Sequence, residues 1–133
     1  MKSIFSMNWL RSIQPRKQRK FRHNAPAHIR GRFLSAPLSK DLKKKHNVNA
    51  VRVRTEDIVM VLRGQFKGKS GAVERVDVSR EKIYIVGVET IKKDGAKTSY
   101  PIHPSNVVIT AFKSDDKKRL KTVSVAKDKK ENN

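Results

Sequence analysis

Apolar positions in this chain gather into short runs confined to its middle. Residues 57–63 (DIVMVLR) place apolar side chains on both faces of a predicted strand, and 72–78 (AVERVDV) break apolar positions with charges. Further predicted strands cover 82–91 (KIYIVGVETI), 97–102 (KTSYPI) and 107–110 (VVIT). The separators are turn formers: Ser79-Arg80-Glu81, the hairpin signal Lys93-Asp94-Gly95, and Gly64, Gly68 and Gly71 within 63–71. Pro101 lacks an N–H and belongs at a sheet edge or strand end. Five short antiparallel strands with tight turns predict a mainly β fold, a small SH3-like barrel over 51–110. An OB-like barrel shares this pattern.

The first 50 residues show no such alternation. Asn24-Ala25-Pro26 joins a cap residue to a proline suited to a first helical turn, predicting a helix over 27–34 despite Gly31 and ending before Pro37. Ser39 caps a second predicted helix over 40–46, with Asp41 near its positive end and Lys43, Lys44 and Lys45 near its negative end. The apolar residues here, Ile29, Phe33, Leu34, Leu38 and Leu42, are few and suit packing onto a partner or onto the side of the barrel. Upstream, the basic run 15–23 (PRKQRKFRH) is expected to be disordered until it meets phosphate. Downstream, Ser114-Asp115-Asp116 is a cap signal ahead of a lysine-rich tail. The predicted organisation is a basic extension over 1–50, the barrel over 51–110 and a tail over 111–133.

Charge changes the picture most. The 133 residues hold 32 lysines and arginines against 12 acids, a net charge of +20. Residues 1–50 carry 13 basic and 1 acidic side chain, 51–110 carry 11 and 7, and 111–133 carry 8 and 4. The near-balanced segment is the one with strand pattern, so it can fold, while the excess charge calls for a polyanion. A core of about 60 residues is marginal alone, so a large partner is expected to add order. With no recognition-helix, zinc-finger or zipper pattern, flexible basic arms suit folded RNA better than DNA.

Other classes are excluded by what the chain lacks. It has no cysteine, hence no disulfide framework or thiolate metal site. Its longest purely apolar runs, 58–62 and 83–86, are far below the roughly 20 residues of a membrane span. Residues 1–22 have the acid-free composition of a presequence, with Phe5, Trp9 and Ile13 at helical spacing, while Met7 offers a second start.

Residues 64–70 (GQFKGKS) resemble the phosphate loop of nucleoside triphosphatases. That loop needs four residues between its first glycine and Gly-Lys-Ser and must open a helix; here there are three, and a strand follows. The glycines instead suit a turn that RNA backbone can approach closely, with Arg63, Lys67 and Lys69 for phosphate and Phe66 as a stacking face. His23, His28, His46 and His103 complete no metal-ligand spacing; His28 suits an RNA or helix contact and His103 packing against the barrel. Glu56, Asp57, Glu74, Asp77, Glu81 and Glu89 read as a solvated face or as lysine partners. No catalytic constellation, and no cofactor or small-molecule site, is legible.

Three blocks carry a resemblance. The stretch 56–73 (EDIVMVLRGQFKGKSGAV) resembles a KOW motif, the strand, glycine loop and strand of several ribosomal and transcription proteins. With 24–30 (NAPAHIR) plus 35–42 (SAPLSKDL), and 102–110 (IHPSNVVIT), it resembles the large-subunit ribosomal protein twenty-four family in its eukaryotic form, over roughly residues 15 to 120. Gly31 stands where the family usually has another basic residue, and residues 1–14 do not match. The resemblance implies an SH3-like barrel on large-subunit ribosomal RNA beside neighbouring ribosomal proteins, near the outer mouth of the polypeptide exit tunnel. It further implies early binding during assembly in the nucleus and nucleolus, and a cytoplasmic ribosomal location thereafter. The residues expected to meet RNA are Arg16, Lys17, Arg19, Lys20 and Arg22 threading between RNA helices, then His23, Asn24 and His28. Arg30, Arg32, Lys43, Lys44 and Lys45 anchor the arm, and Arg63, Gly64, Phe66, Lys67, Gly68 and Lys69 form the loop. The rival reading is a KOW-type transcription or RNA-processing adaptor.

Overall fold

The computed structural model describes residues 5–6, 12–113 and 119–120. The Met1 or Met7 start, Trp9, the Ser114-Asp115-Asp116 cap and the lysine-rich tail beyond residue 120 lie outside the described residues. Two helices, α1 (Pro15–Asn24) and α2 (Ala27–Phe33), lead into a short strand β1 (Ser35–Pro37), helix α3 (Lys40–His46) and strand β2 (Ala50–Arg52). Strands β3 (Ile58–Val61), β4 (Ser70–Asp77), β5 (Lys82–Ile85), β6 (Glu89–Ile91) and β7 (Lys97–Ser99) follow, then a 3-10 turn Pro104–Asn106 and strand β8 (Val107–Ala111). The fold is mainly β and SH3-like, with a helical N-terminal region.

The centre is a four-stranded antiparallel sheet in the order β5-β4-β3-β8. Along β3 the pleat sends Val59 and Val61 inward, leaving Ile58 nearly half exposed, so the two-faced apolar pattern resolves into one core face and one outer face. In β8, Val107 and Ile109 take the same inner side. Isolated bridges extend the sheet at both edges, Leu38 beside Ile109 and Ile83 beside Ile102. The core joins these valines to Val73, Ile83, Ile85, Val88 and Ile102, and it reaches upstream to Ala36, Leu38, Val48 and Val51. The sparse apolar residues of the N-terminal region thus help to build the core, and Leu42 and Phe66 pack against it.

Several expectations are corrected. The basic run 15–23 is helical in α1: Pro15 presets the first turn, and Phe21 sits between Phe5 and Phe33 with ring centroids 4.8 and 6.2 Å away. Asn24 ends α1 instead of capping α2, whose cap position is Pro26 with no side-chain bond. Residues before 50 do contain strand, since β1 pairs antiparallel with β2, Ala36 facing Val51. The predicted strand 82–91 is broken at Gly87, whose φ of +83° no β strand accommodates, and its second half becomes β6 paired with β7. Ser39 does cap α3, accepting from the Leu42 N–H, and Asp94 Oδ1 accepts from Ala96 N in the β6-β7 hairpin turn. At Gly71, the position a Cβ would occupy lies 2.5 Å from the Val86 carbonyl oxygen, so β4 meets the residue after β5 at a distance only glycine permits. Gly31 likewise leaves room for the Arg52 guanidinium, which passes 2.5 Å from where a Cβ would stand.

Candidate nucleic-acid interface

The glycine loop is built by its own backbone. Gly68 N–H donates to Val61 O at 2.8 Å and Val61 N–H donates to Lys69 O at 2.8 Å, closing the ends of the loop. Lys67 N–H to Gly64 O and Lys69 N–H to Phe66 O, each 3.1 Å, form two tight turns within it. Gly64 and Gly68 adopt φ of +95° and +88°, so glycine is needed at both. Arg63, Lys67 and Lys69 are held outward and exposed, while Phe66 turns half inward. The Phe66 ring lies 5.2 Å from the Tyr100 ring centroid and carries the Lys69 ammonium 5.2 Å above it.

Loop and chain return enclose a cleft of about 260 Å³ between residues 63–66 and 100–106, with Lys82 on its wall. His103 stands at the back of this cleft. Its Nδ1 accepts from Ser105 N–H at 3.2 Å, while Nε2 faces the Glu81 carboxylate at 3.8 Å. Burial lowers the His103 pKa below its usual value, with repulsion from Lys82 and Arg22 adding to that and Glu81 opposing it. Glu81 also receives Arg22 of α1 at 2.7 Å, so this carboxylate, in a turn of positive φ, fastens the N-terminal helix beside the cleft.

Helix α1 has two unlike faces. Arg16, Arg19, Lys20 and His23 follow the i, i+3, i+4, i+7 spacing of one face and are all exposed. Lys17 is exposed beside them. Arg22 is directed elsewhere, to Glu81 and over the Phe33 ring at 5.2 Å. Asn24 is half-buried, and His28 is exposed on α2. Arg30 holds the corner between the helices: its Nε donates to Ala25 O at 2.9 Å and its Nη2 to His23 O. Arg32, Lys44 and Lys45 are exposed and Lys43 is half-buried.

Sequence reasoning missed one pair entirely. Asp57, read as part of a solvated face or as a partner of neighbouring lysines, has no solvent exposure, and Arg119 grips it in fork geometry, Nη1 to Oδ1 at 2.7 Å and Nη2 to Oδ2 at 2.5 Å. Arg54 N–H donates to the same Oδ2 at 2.8 Å, and Arg119 Nη2 also reaches Arg52 O at 2.7 Å. Glu56 pairs with Lys113 alongside. No group of acidic or histidine side chains suited to a metal ion is found among the described residues, and no helix there is long and apolar enough to cross a membrane.

A small SH3-like β body, a closed glycine loop and a basic helix define a KOW-type protein with an extended cationic surface. The pattern of the family described as ribosomal proteins L26 in eukaryotes and L24 in archaea matches residues 12–125. The chain is also 46% identical over 114 residues to the "Large ribosomal subunit protein uL24" of Methanocorpusculum labreanum, covering 86% of this chain and 94% of that relative. The chain belongs to this family of ribosomal proteins. Large-subunit membership, translation and RNA binding follow from the family.

Proposed function

We propose that this chain is a structural constituent of the large subunit that binds large-subunit ribosomal RNA near the polypeptide exit tunnel and supports subunit assembly. The observation that carries the reading is the exposed basic face of α1 together with the outward Arg63, Lys67 and Lys69 of the glycine loop. The first turn of α1 has no acid and carries Arg16 and Lys17 against the positive end of its own dipole. Such a helix is electrostatically unfavourable alone, and phosphate relieves it. Arg16, Lys17, Arg19 and Lys20 then meet phosphates along α1, with His23, Asn24 and His28 at its end. Arg32 and Lys43 to Lys45 extend the contact, Gly64 and Gly68 let RNA backbone approach the loop, and Phe66 offers the open part of its ring as a stacking face. Arg22 and Arg30 act chiefly by positioning α1 and α2 for these contacts.

The tunnel-mouth position, the early role in assembly, nuclear and nucleolar assembly before a cytoplasmic life on the ribosome, and contact with neighbouring ribosomal proteins rest on the family likeness. On this reading residues 1–50 act as the RNA-seeking arm while lending Ala36, Leu38 and Val48 to the core, 51–110 form most of the body, and 111–133 act as a tail that returns Arg119 to Asp57. The test is sedimentation of tagged full-length chain from cell extract through a sucrose gradient in high salt. Stable migration with large subunits is expected, and recovery with RNA polymerase instead would sink the reading.

A further inference from the structure

We infer that the cleft beside the glycine loop is a pocket for one unstacked RNA nucleotide, its base held against Tyr100 and its phosphate by Arg63 and Lys82. The inference rests on the RNA-binding reading above and adds a base-contacting site to a surface otherwise argued from phosphate charge. Three features on the wall point the same way. Tyr100 is 40% exposed and packs at a tilt against Phe66, with ring centroids 5.2 Å apart, which leaves part of the ring open to a base. Among the described residues the Arg63 guanidinium, the Lys82 ammonium and the side-chain amides of Gln65 and Asn106 have no hydrogen-bond or ion-pair partner. No carboxylate lines the cleft, because Glu81 behind it is taken by Arg22 and His103.

Size and chemistry select the occupant. The volume of about 260 Å³ lies below the roughly 300–1,000 Å³ that encloses a drug-sized ligand, and it admits one flat ring system with its sugar left outside. Stacking on a tyrosine needs only a π face, and the two amides each offer a donor and an acceptor for a base edge. A carboxylate from a neighbouring protein would meet Arg63 and Lys82 but leave the aromatic platform and both amides unused. The cleft walls are fixed by backbone bonds, Leu62 N–H to Asn106 O at 2.8 Å and Ile83 N–H to Ile102 O at 2.8 Å, so the pocket is preformed.

The experiment combines ultraviolet crosslinking with affinity titration of the full-length chain on a transcript of large-subunit ribosomal RNA. Wild type, Tyr100→Ala and Tyr100→Phe are compared at several salt concentrations. Tyr100→Ala is expected to weaken binding about 5- to 150-fold, the range of one base on one aromatic ring, with the salt slope unchanged since no cation is removed. Tyr100→Phe is expected to keep wild-type affinity, and a urea-unfolding curve of Tyr100→Ala by circular dichroism that still shows a folded baseline separates lost stacking from misfolding. In the wild type, a single nucleotide is expected attached within residues 97–106. Equal affinity of Tyr100→Ala and wild type, with crosslinks confined to α1, overturns the pocket while leaving the basic surface standing. A crosslink from the cleft to a neighbouring protein in intact large subunits also overturns it. Failure of the wild-type chain to hold the transcript overturns the RNA-binding reading and the pocket with it.

Discussion

Removal of the Arg119 side chain is the sharpest perturbation the fold offers. The Asp57 carboxylate is wholly enclosed, and among the described residues Arg119 supplies its two side-chain donors and the Arg54 N–H, at 2.8 Å, its one backbone donor. The Arg119 guanidinium is itself 7% exposed and lies 4.8 Å from the Phe112 ring centroid, so solvent screening is small. Losing one partner of such a pair strands a buried charge, at a cost of about 3–5 kcal/mol. A small domain has about 5–15 kcal/mol in total, so Arg119→Met is expected to lower stability severely. Adding Asp57→Asn removes the stranded charge while keeping an oxygen for the Arg54 N–H, so the double variant recovers much of the loss. Urea unfolding of the full-length chain followed by circular dichroism yields the coupling energy, expected above roughly 1.5 kcal/mol. A cost for Arg119→Met below about 1 kcal/mol, the value of an exposed pair, would refute the reasoning, as would a double variant no more stable than the single one.

Three further outcomes are expected. Gly71→Ala drives a methyl group against the Val86 carbonyl at 2.5 Å with no helpful freedom in backbone φ, and a loss of about 1–3 kcal/mol in thermal or urea unfolding is expected; an unchanged midpoint would show that the β4 to β5 contact yields. Because burial, then Lys82 and Arg22, lower the His103 pKa in the folded chain, the unfolded chain takes up this proton first as pH falls below about 6.5. Stability is therefore full above that pH and declines below it, and His103→Gln should reduce the slope between pH 5 and pH 6.5; an identical slope in the variant would remove His103 as its source. Lys67→Glu with Lys69→Glu should weaken binding to the ribosomal RNA transcript and flatten its salt dependence by about 0.7 to 0.9 per lost phosphate contact. An unchanged slope would take the loop off the contact surface.

The strands of the central sheet were legible because one face of each is buried, so residues such as Val59, Val61, Val107 and Ile109 recur at period two. Ser39 and the Lys93-Asp94-Gly95 turn were legible because their chemistry is local. The pair β1 and β2 was not, since three residues including Pro37 are too few to show a period. In residues 15–23, charge density suggested disorder and hid a real helical signal: a proline at the first position, good helix formers after it, and bases at i, i+3, i+4 and i+7. What ties that helix down, Phe21 on Phe33 and Arg22 on Glu81, is tertiary. Asp57 was misread for the same reason, its arginine lying 62 residues further along the chain. The break at Gly87 carried a visible sign, a lone glycine inside an apolar run, which marks a kink as readily as a weak strand position. For the interface, Arg63, Lys67 and Lys69 are exposed on the loop, whereas the cleft that Arg63 shares with Tyr100 required the fold to bring residues 63–66 and 100–106 together.

The net charge of +20 therefore overstates the charge available to a polyanion, because several arginines are engaged within the fold. Arg22, Arg30, Arg75 and Arg119 all serve the fold: they bind carboxylates or carbonyls, or lie over Phe33, Tyr84 and Phe112. Among the described residues no lysine is buried, and Lys113 pairs with Glu56 where both side chains are more than half exposed. Those four arginines suit that role because a planar, weakly hydrated guanidinium can satisfy two acceptors or lie flat on a ring. A salt titration of RNA affinity counts only the cations that release counterions, so its slope should follow the exposed lysines and the outward Arg16, Arg19, Arg32 and Arg63. Losses of binding on changing Arg22 or Arg30 would then come with loosening of α1 and α2, and they belong to the positioning of the surface before they belong to the surface itself.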